Sequence, residues 1–384
     1  MTVDAEAPPY CPFCGGPLEQ EGEESATTTD VPQQPEPEVT AYRVAVCRCR
    51  QCGKTVRGTA PGLAADQYGA TAHRVGPGVM AAAHALHYQV GIPVRRVPGV
   101  LRELTGVTIT PSALTQDALR RAKGEVGAEY QRLRAAVKEA PFVHTDDTGW
   151  KVGGKTAFVM CFDTDRETVY QIRAQHRNEE VREIIPGDYA GVMITDRGKS
   201  YDAEELQAVE QQKCLGHILR NITDVVDTKQ GRAQDFGLLA KALFQEGMEL
   251  WKARKSVPVE VFAEQAVEIT ELVSYHLRER TLTDADNQRL LDGLGVHDDQ
   301  GHLMRFLKAP FVEPTNNRAE RKVRPAVIVR KVSQCSKTWE GAEAFAAFTS
   351  IAQTAIKNGA ASVAAAFLAL FKAPIAKPET IPPS

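Results

Sequence analysis

The middle of the chain alternates apolar and polar residues with the period of β-strands. Three runs within 141–173 are rich in β-branched and aromatic residues and are separated by Gly-Gly and Asp-Arg pairs, a pattern typical of a three-stranded meander. A helical stretch at 177–185, a buried strand at 191–196, a second helical stretch at 202–209 and a short strand at 211–217 follow. Strands that then alternate with helices predict a mixed α/β sheet.

Helical periodicity dominates both flanks of this region. Residues 77–140 are predicted to form several helices, and residues 218–310 contain three more helical stretches, which we interpret as an insertion. An Arg- and Lys-rich helix then starts near residue 315, and a further helix ends at an Asn-Gly pair. A short packing helix and a loose Pro-rich tail are expected over 359–384.

One helical pair has the form of a helix-turn-helix. Gly106 separates two helices, and Thr110 and Pro111 fit the N-cap and the first position of the second helix. In a DNA-binding motif of this kind the second helix enters the major groove. A plain αα-hairpin with solvated charges fits the same pattern, so both interpretations stay open.

Charge is distributed unevenly along the chain. The net charge is −3, but residues 1–40 carry nine acids and no Lys or Arg, so the rest of the chain holds 46 basic side chains against the other 40 acids. The stretch 18–40 is acidic and rich in Pro, Thr and Gln, which predicts disorder. This balance neither favours nor excludes a nucleic-acid partner.

The sequence predicts neither export nor membrane insertion. The first 20 residues lack the basic start and apolar run of a secretory signal. The longest apolar run covers 12 residues, 360–371, which is too short to cross a bilayer. We therefore expect a cytoplasmic protein with no membrane partner, whose eight cysteines are metal ligands or buried thiols rather than disulfides.

Two Cys-x-x-Cys pairs, each followed by Gly, have the spacing of a tetrathiolate zinc ribbon, because each short loop brings two thiolates to one ion. The pairs are Cys11 with Cys14 and Cys49 with Cys52. The 34 residues between the pairs exceed the usual gap, but the cost of closing a loop grows slowly with its length. We predict a structural zinc unit over 1–70. Buried free thiols are the alternative, and Cys47 is a spare thiol that could replace a ligand of the second pair.

Acidic side chains follow two of the predicted strands. Asp146 and Asp147 are expected at the end of the first strand, and Asp196 ends the fourth. Ends of adjacent strands lie close together, so Asp146 and Asp196 could share two cations, with Glu320 on the Arg-rich helix as a third acid. Oxygen ligands are those that Mg²⁺ prefers, and two such ions promote phosphodiester chemistry. Solvated carboxylates, and pairing of Glu320 with Arg324 one helical turn on, are the non-catalytic alternatives.

Four strings of the chain stand in the order and spacing of a known protein family. They are HTDDTGWKVGGKTAFVMCF, ITDRGKSYD, KCLGHILRN and EPTNNRAERKVRPAVIVRKVS. They resemble the insertion-sequence-66 family of bacterial transposases, within the DDE group that has a ribonuclease-H-like core, and CPFCGG resembles the family's zinc-binding segment. The resemblance implies a catalytic core at 141–217 and 311–358, interrupted by the helical insertion at 218–310.

The resemblance also implies roles for individual residues. Asp146, Asp196 and Glu320 would be catalytic and would hold Mg²⁺ or Mn²⁺, and Asp147 stands where the family usually has Glu. A Cys-x-x-His element that supports the site corresponds to Cys214 and His217. Cations around the third acid are expected to contact phosphates, and they are Arg318, Arg321, Lys322 and Arg324.

The activity implied is cleavage at the ends of an insertion sequence, followed by joining of the 3′-hydroxyl to target DNA. The expected partners are DNA, as terminal inverted repeats and target, a second copy of the chain on that DNA, and accessory proteins of the same element. Two alternatives stay open: a catalytically inactive, transposase-derived DNA-binding protein, and a metal-dependent nuclease with the same core. A zinc-ribbon interaction protein with a helical scaffold would leave the acid trio unexplained. The expected location is the bacterial cytoplasm, at the nucleoid.

Overall fold

A computed structural model describes residues 8–19, 36–58, 75–278 and 280–372 of the chain. Its strands are β1 (Val46–Arg48), β2 (Thr55–Arg57), β3 (Phe142–Val152), β4 (Lys155–Asp163), β5 (Thr168–Arg173), β6 (Val192–Thr195) and β7 (Gln211–Lys213). Its helices are α1 (Pro77–Tyr88), α2 (Val97–Thr105), α3 (Pro111–Lys123), α4 (Glu125–Lys138), α5 (Asn178–Arg182), α6 (Leu215–Val226), α7 (Asp235–Ala253), α8 (Val259–His276), α9 (Ala285–Asp299), α10 (Arg305–Lys308), α11 (Asn317–Ser333), α12 (Trp339–Lys357) and α13 (Val363–Lys372). Most of the acidic insert predicted at 18–40, and the tail after residue 372, lie outside the described residues.

Five strands form one mixed sheet in the order β5-β4-β3-β6-β7. Strands β3 to β5 are antiparallel neighbours, whereas β6 runs parallel to β3 and β7 runs parallel to β6. Gly153 and Gly154 join β3 to β4 with φ angles of +58° and +81°, which a residue with a side chain rarely adopts. The predicted mixed α/β sheet and its three-stranded meander are confirmed.

The first strand of the sheet is longer than the sequence suggested. β3 continues through Asp146 and Asp147 to Val152, so the prediction that the two acids end the strand is wrong. The antiparallel ladder with β4 runs on without a break, and Asp146 lies opposite Cys161. Consecutive side chains of a strand point to opposite faces, so the sheet can accommodate both acids without ending there.

The predicted helix at 202–209 is also wrong. This segment forms two short 3₁₀ turns, Lys199–Tyr201 and Glu204–Leu206. The buried ammonium of Lys213 on β7 lies 2.6 Å from the Asp202 carboxylate, which ties the segment to the sheet. A contact between distant residues therefore prevails over the local helix propensity.

Helices cover the sheet and one of its edges. α11 packs against β3 and β4, whereas α4 and α12 pack against β5. β5 is an edge strand, and its backbone N–H groups at Thr168 and Tyr170 donate to the hydroxyls of Thr354 and Ser350 on α12, at 3.0 and 2.8 Å. The hydroxyls satisfy an edge that would otherwise be open to pairing with another chain.

The helices of the predicted insertion, α6 to α10, bury an apolar cluster of their own. This cluster extends to Val192 and Ile194 on β6, so the insertion rests on the sheet at that strand. The boundaries of the predicted domains stay predictions.

The helical segment before the sheet has the predicted cap. Thr110 Oγ1 accepts a hydrogen bond from the Ala113 backbone N–H at 3.1 Å, and Pro111 is the first helical residue, which confirms the predicted start of α3. Ala118 of α3 and Val126 of α4 lie in the main apolar core with the sheet. The helix-turn-helix role of α2 and α3 stays a prediction. Among the helices that the structure describes, none has both the length and the apolar character needed to cross a membrane.

Candidate active site

Asp146 faces helix α11. Side chains at alternate positions of β3 share a face, so Asp146 lies on the same face as His144 and Thr148. His144 Nδ1 lies 3.1 Å from Asn316 Oδ1, and Thr148 Oγ1 accepts a hydrogen bond from Arg330 Nη1 at 3.0 Å. Both contacts are to α11 or its N-cap, so this face of β3 looks towards that helix.

Asp147 belongs to the opposite face. Its Oδ1 lies 3.0 Å from His176 Nδ1, in the segment after β5. Thr145, on the same face, lies 3.4 Å from the Tyr201 hydroxyl. The two adjacent acids are therefore in different environments, and Asp146 is the one on the side of the predicted third acid.

Asp196 follows β6 directly and lies beside β3. The parallel register pairs His144 with Ile194, and two residues further along each strand are Asp146 and Asp196. Asp196 Oδ1 accepts a hydrogen bond from the Gly198 backbone N–H at 2.9 Å. A side chain at Gly198 would place its Cβ 2.9 Å from the same oxygen, so glycine here leaves room for the carboxylate.

Glu320 is in the first turn of α11, one turn after the N-cap residue Asn316. Its backbone N–H donates to the Asn316 carbonyl at 3.2 Å. Its carboxylate lies 3.7 Å from His217 Nε2, in an ion pair that forms when the histidine is protonated.

Asn316 holds the start of α11 in place. The residue is 1% exposed, and its side-chain amide donates to the Thr145 carbonyl at 2.8 Å, beside Asp146. Its backbone N–H donates to the sulfur of Cys214 at 3.1 Å. Asn316 thus joins β3, the start of α6 and the start of α11, which are the elements that carry the predicted site residues.

Burial raises the pKa of Asp146 to about 7, and the negative charges of Asp147, Asp196 and Glu320 act in the same direction. The three predicted acids are therefore near enough to one another to interact electrostatically, with an excess of negative charge on a half-buried surface. A divalent cation bound there would remove this excess, and carboxylate oxygens are the donors that Mg²⁺ prefers. The residues present thus fit the ion that the sequence implies.

A second group of ligand atoms adjoins Glu320. The ligand atoms of Cys214, His217 and Glu320 all lie within 4.8 Å of one another. Among the described residues, the three predicted acids do not form so tight a group. A two-cation site does not require it, because each cation needs only one or two carboxylates of its own.

A family model described as "Transposase IS66 family" matches residues 72–344, which is more than two thirds of the chain. The chain belongs to the IS66 family of transposases. The matched region includes the sheet, the predicted insertion and the three predicted acids. No curated protein that was compared with the chain matches it.

The cations of α11 in this IS66 transposase occupy two environments. Arg318 Nε lies 2.8 Å from the fully buried Asp163 carboxylate, and Lys322 Nζ lies 3.4 Å from Gln353 Oε1. Arg321 and Arg324, in contrast, are exposed. The structure thus separates the four predicted phosphate contacts into two with partners inside the protein and two on the surface.

The two cysteine loops of the IS66 transposase share one backbone geometry. In each loop the N–H of the first cysteine donates to the carbonyl five residues on, and the N–H of the Gly after the second cysteine donates back to the first, at 2.8–3.0 Å. Backbone hydrogen bonds lower the pKa values of Cys11 and Cys49, which favours thiolates. Cys47 lies outside these loops, in β1. Among the described residues, the four cysteines Cys11, Cys14, Cys49 and Cys52 do not converge within 4.8 Å, so the zinc ribbon stays a prediction.

Sequence reasoning missed Asn316 and Asp163. Each is a single polar residue whose partners are far away in the chain, and no local spacing distinguishes it from other Asn and Asp residues. The only signal was the Asn-Asn pair directly before the Arg-rich helix.

Proposed function

We propose that this transposase cuts the ends of an insertion sequence and joins the freed 3′-hydroxyl to target DNA, with Asp146, Asp196 and Glu320 as its catalytic acids. The observation that carries the proposal is the pKa of Asp146, raised to about 7 by burial and by the charges of the other acids. A half-buried, uncompensated group of carboxylates is unfavourable unless it serves a purpose, and pKa shifts of this kind cluster at functional sites.

The topology supports a ribonuclease-H-like core. Three antiparallel strands are followed by two parallel ones, and the proposed acids lie on β3, directly after β6 and on α11. The first two are on adjacent strands, and the third comes from a helix packed against the first of them. This is the placement that the resemblance implied.

Asp146, Asp196 and Glu320 would hold Mg²⁺ or Mn²⁺. Bound there, such ions activate the attacking water or 3′-hydroxyl and stabilise the leaving oxygen. Asp146 releases its proton on loading, and Asn316 holds Glu320 near it. The exposed Arg321 and Arg324 are suited to bidentate contacts with the DNA backbone beside the acids.

The zinc ribbon and the α2–α3 pair are the candidates for recognising the terminal repeats. Structural Zn²⁺ would be held by Cys11, Cys14, Cys49 and Cys52, and the matching hydrogen bonds of the two loops support this ligand set over one that includes Cys47. Because phosphate contacts dominate affinity for DNA, binding should weaken steeply as salt rises. A multimer that pairs two ends, with or without accessory proteins, belongs to the same proposal.

Strand cleavage and joining on a labelled end substrate test the proposal. Asp196→Asn should lower the Mg²⁺-dependent rate by at least about 100-fold, because the variant lacks a metal ligand. Asp188→Asn, at an exposed aspartate in the loop before β6, is the matched control and should leave the rate unchanged.

The products separate the alternatives. Joined DNA supports transposition, whereas cleavage without joining indicates a nuclease. Binding without any divalent-dependent cleavage indicates an inactive derivative. Equal rates for Asp196→Asn and Asp188→Asn would remove Asp196 from the site.

A further inference from the structure

The group formed by Cys214, His217 and Glu320 has a donor chemistry different from that of the carboxylate site. It offers a thiol sulfur, an imidazole nitrogen and a carboxylate oxygen, all within 4.8 Å of one another. Mg²⁺ binds oxygen ligands, whereas sulfur and nitrogen donors favour Zn²⁺ and related thiophilic ions.

The sulfur of Cys214 is surrounded by hydrogen-bond donors. Cys214 is the N-cap of α6, and the backbone N–H groups of Gly216, His217 and Asn316 donate to its sulfur. Donors in this arrangement stabilise a thiolate, the form in which cysteine binds metals. His217 is on the first turn of the same helix, three residues further on, which brings both donors to one side of the helix end.

The group is open on one side. Cys214 is 1% exposed, but the side chains of His217 and Glu320 are 37% and 40% exposed. His217 Nδ1 is buried and makes no hydrogen bond, so the imidazole is free of competing partners on that nitrogen and meets Glu320 through Nε2. An ion could enter from the solvent side and would find three ligands and an open fourth position, as in exchangeable zinc sites.

The spacing suits such an ion after a small adjustment. Zinc-ligand distances of about 2.0–2.3 Å in a tetrahedral site place the ligand atoms roughly 3.3–3.8 Å apart. The present upper limit of 4.8 Å is within about 1.5 Å of that range, which rotation of the His217 and Glu320 side chains can supply.

We propose that Cys214, His217 and Glu320 form a second, thiophilic metal site that takes Zn²⁺ and competes with the catalytic cations for Glu320. Binding of Zn²⁺ deprotonates the Cys214 thiol and takes up the Glu320 carboxylate. Zn²⁺ at this site therefore inhibits strand cleavage. The inhibition rests on the proposed function, whereas the metal binding does not.

Metal binding is measured on the full-length protein with Co²⁺ as the spectroscopic probe. The thiolate-to-cobalt absorption and the number of bound ions are compared between the wild type, Cys214→Ser and Cys335→Ser. Cys335 is the control because it lies outside both this group and the cysteine loops. Cys214→Ser should bind one ion fewer and lose part of the thiolate absorption, while Cys335→Ser should match the wild type. The same stoichiometry and spectrum in Cys214→Ser would overturn the proposal.

Competition is measured by titrating Zn²⁺ into cleavage reactions at two Mg²⁺ concentrations, with each protein compared with its own rate in Mg²⁺ alone. Zn²⁺ should inhibit the wild type, excess Mg²⁺ should relieve the inhibition, and Cys214→Ser should need at least about tenfold more Zn²⁺. Inhibition that Mg²⁺ does not relieve would overturn the competition for Glu320. If the wild type cleaves nothing in Mg²⁺, the proposed function fails and the Co²⁺ measurement still decides whether the site exists.

Discussion

At the scale of single residues, Asn316 determines where Glu320 lies. Its amide binds β3 next to Asp146, its N–H binds Cys214, and its carbonyl begins the helix that carries Glu320. The sequence predicted the acids because carboxylates after strands are a recognisable pattern. It could not predict Asn316, because the contacts of that residue span 102 and 171 positions.

Asn316→Ala should lower both stability and cleavage. The substitution leaves the Thr145 carbonyl and His144 Nδ1 without their partner in a buried place, at a typical cost of about 1–3 kcal/mol for each group. It also loosens the start of α11, so we expect cleavage to fall by about 10–100-fold and the Mg²⁺ concentration for half-maximal rate to rise. Urea unfolding and rates at several Mg²⁺ concentrations measure these effects.

The neighbouring Asn317 supplies the control for this test, because it is exposed and follows Asn316 directly. Asn317→Ala should change neither the free energy of unfolding nor the Mg²⁺ dependence appreciably. If Asn316→Ala loses stability but keeps the Mg²⁺ dependence of the wild type, Asn316 supports the fold and does not position Glu320.

The choice between Asp146 and Asp147 was also beyond sequence reasoning. Alternation along a strand says that the two side chains point to opposite faces, but not which face meets α11. The contacts of His144 with Asn316 and of Asp147 with His176 supply that information.

At the scale of elements, α11 is fixed to the sheet along its whole length. Asn316 binds β3 before the helix starts, Arg330 binds Thr148 near its end, and the Ser336 backbone pairs with Lys151 of β3 beyond it. Predicting the helix needed only its caps and composition. Its placement depends on these contacts, none of which has a local sequence pattern.

The buried Asp163 makes a further connection, between α11 and α12. Its carboxylate lies 2.8 Å from Arg318 Nε and 2.6 Å from Lys357 Nζ. Asp163→Asn should lower the free energy of unfolding by about 3–5 kcal/mol, because two cations lose the charge that compensates them in the protein interior. Urea unfolding at neutral pH is the measurement.

Asp165→Asn is the matched control, two residues along and on the surface, and should shift the unfolding midpoint little. A similar midpoint for both variants would mean that the Asp163 network contributes little to stability. Arg318 would then be available as a DNA contact, as the sequence had predicted.

At the scale of the whole molecule, the candidate site exists because the sheet order brings distant segments together. Patterns in the sequence indicated the strands and the insertion, and the resemblance supplied their arrangement. Asp146 and Asp196 become neighbours only because β6 pairs in parallel with β3, a choice made by packing across the whole chain.

This arrangement predicts how stability depends on pH when divalent cations are removed. The folded protein holds the pKa of Asp146 at about 7, above its ordinary value of 3.8, so between these values the folded state binds a proton that the unfolded state has lost. Stability should therefore fall as pH rises from about 4 to 7, by up to about 4 kcal/mol. Urea unfolding in EDTA across this range measures the slope.

Asp146→Asn isolates this contribution, because the amide does not titrate. The variant should show a flatter profile than the wild type and should be the more stable of the two above pH 7. Parallel profiles for the two proteins would mean that Asp146 titrates normally and that the carboxylates do not interact.

The chain leaves the sheet at Cys214 and returns at Asn316, and these two residues touch although 102 positions separate them. The Leu215 N–H also meets the Pro314 carbonyl at 2.9 Å, so the excursion through α6 to α10 has a narrow neck. What lies beyond a closed neck can change in length or shape without moving the third acid. Transposases could thus acquire very different insertions at this point, and a protein engineer could exchange this one, while the chemistry beside β3 stays in register.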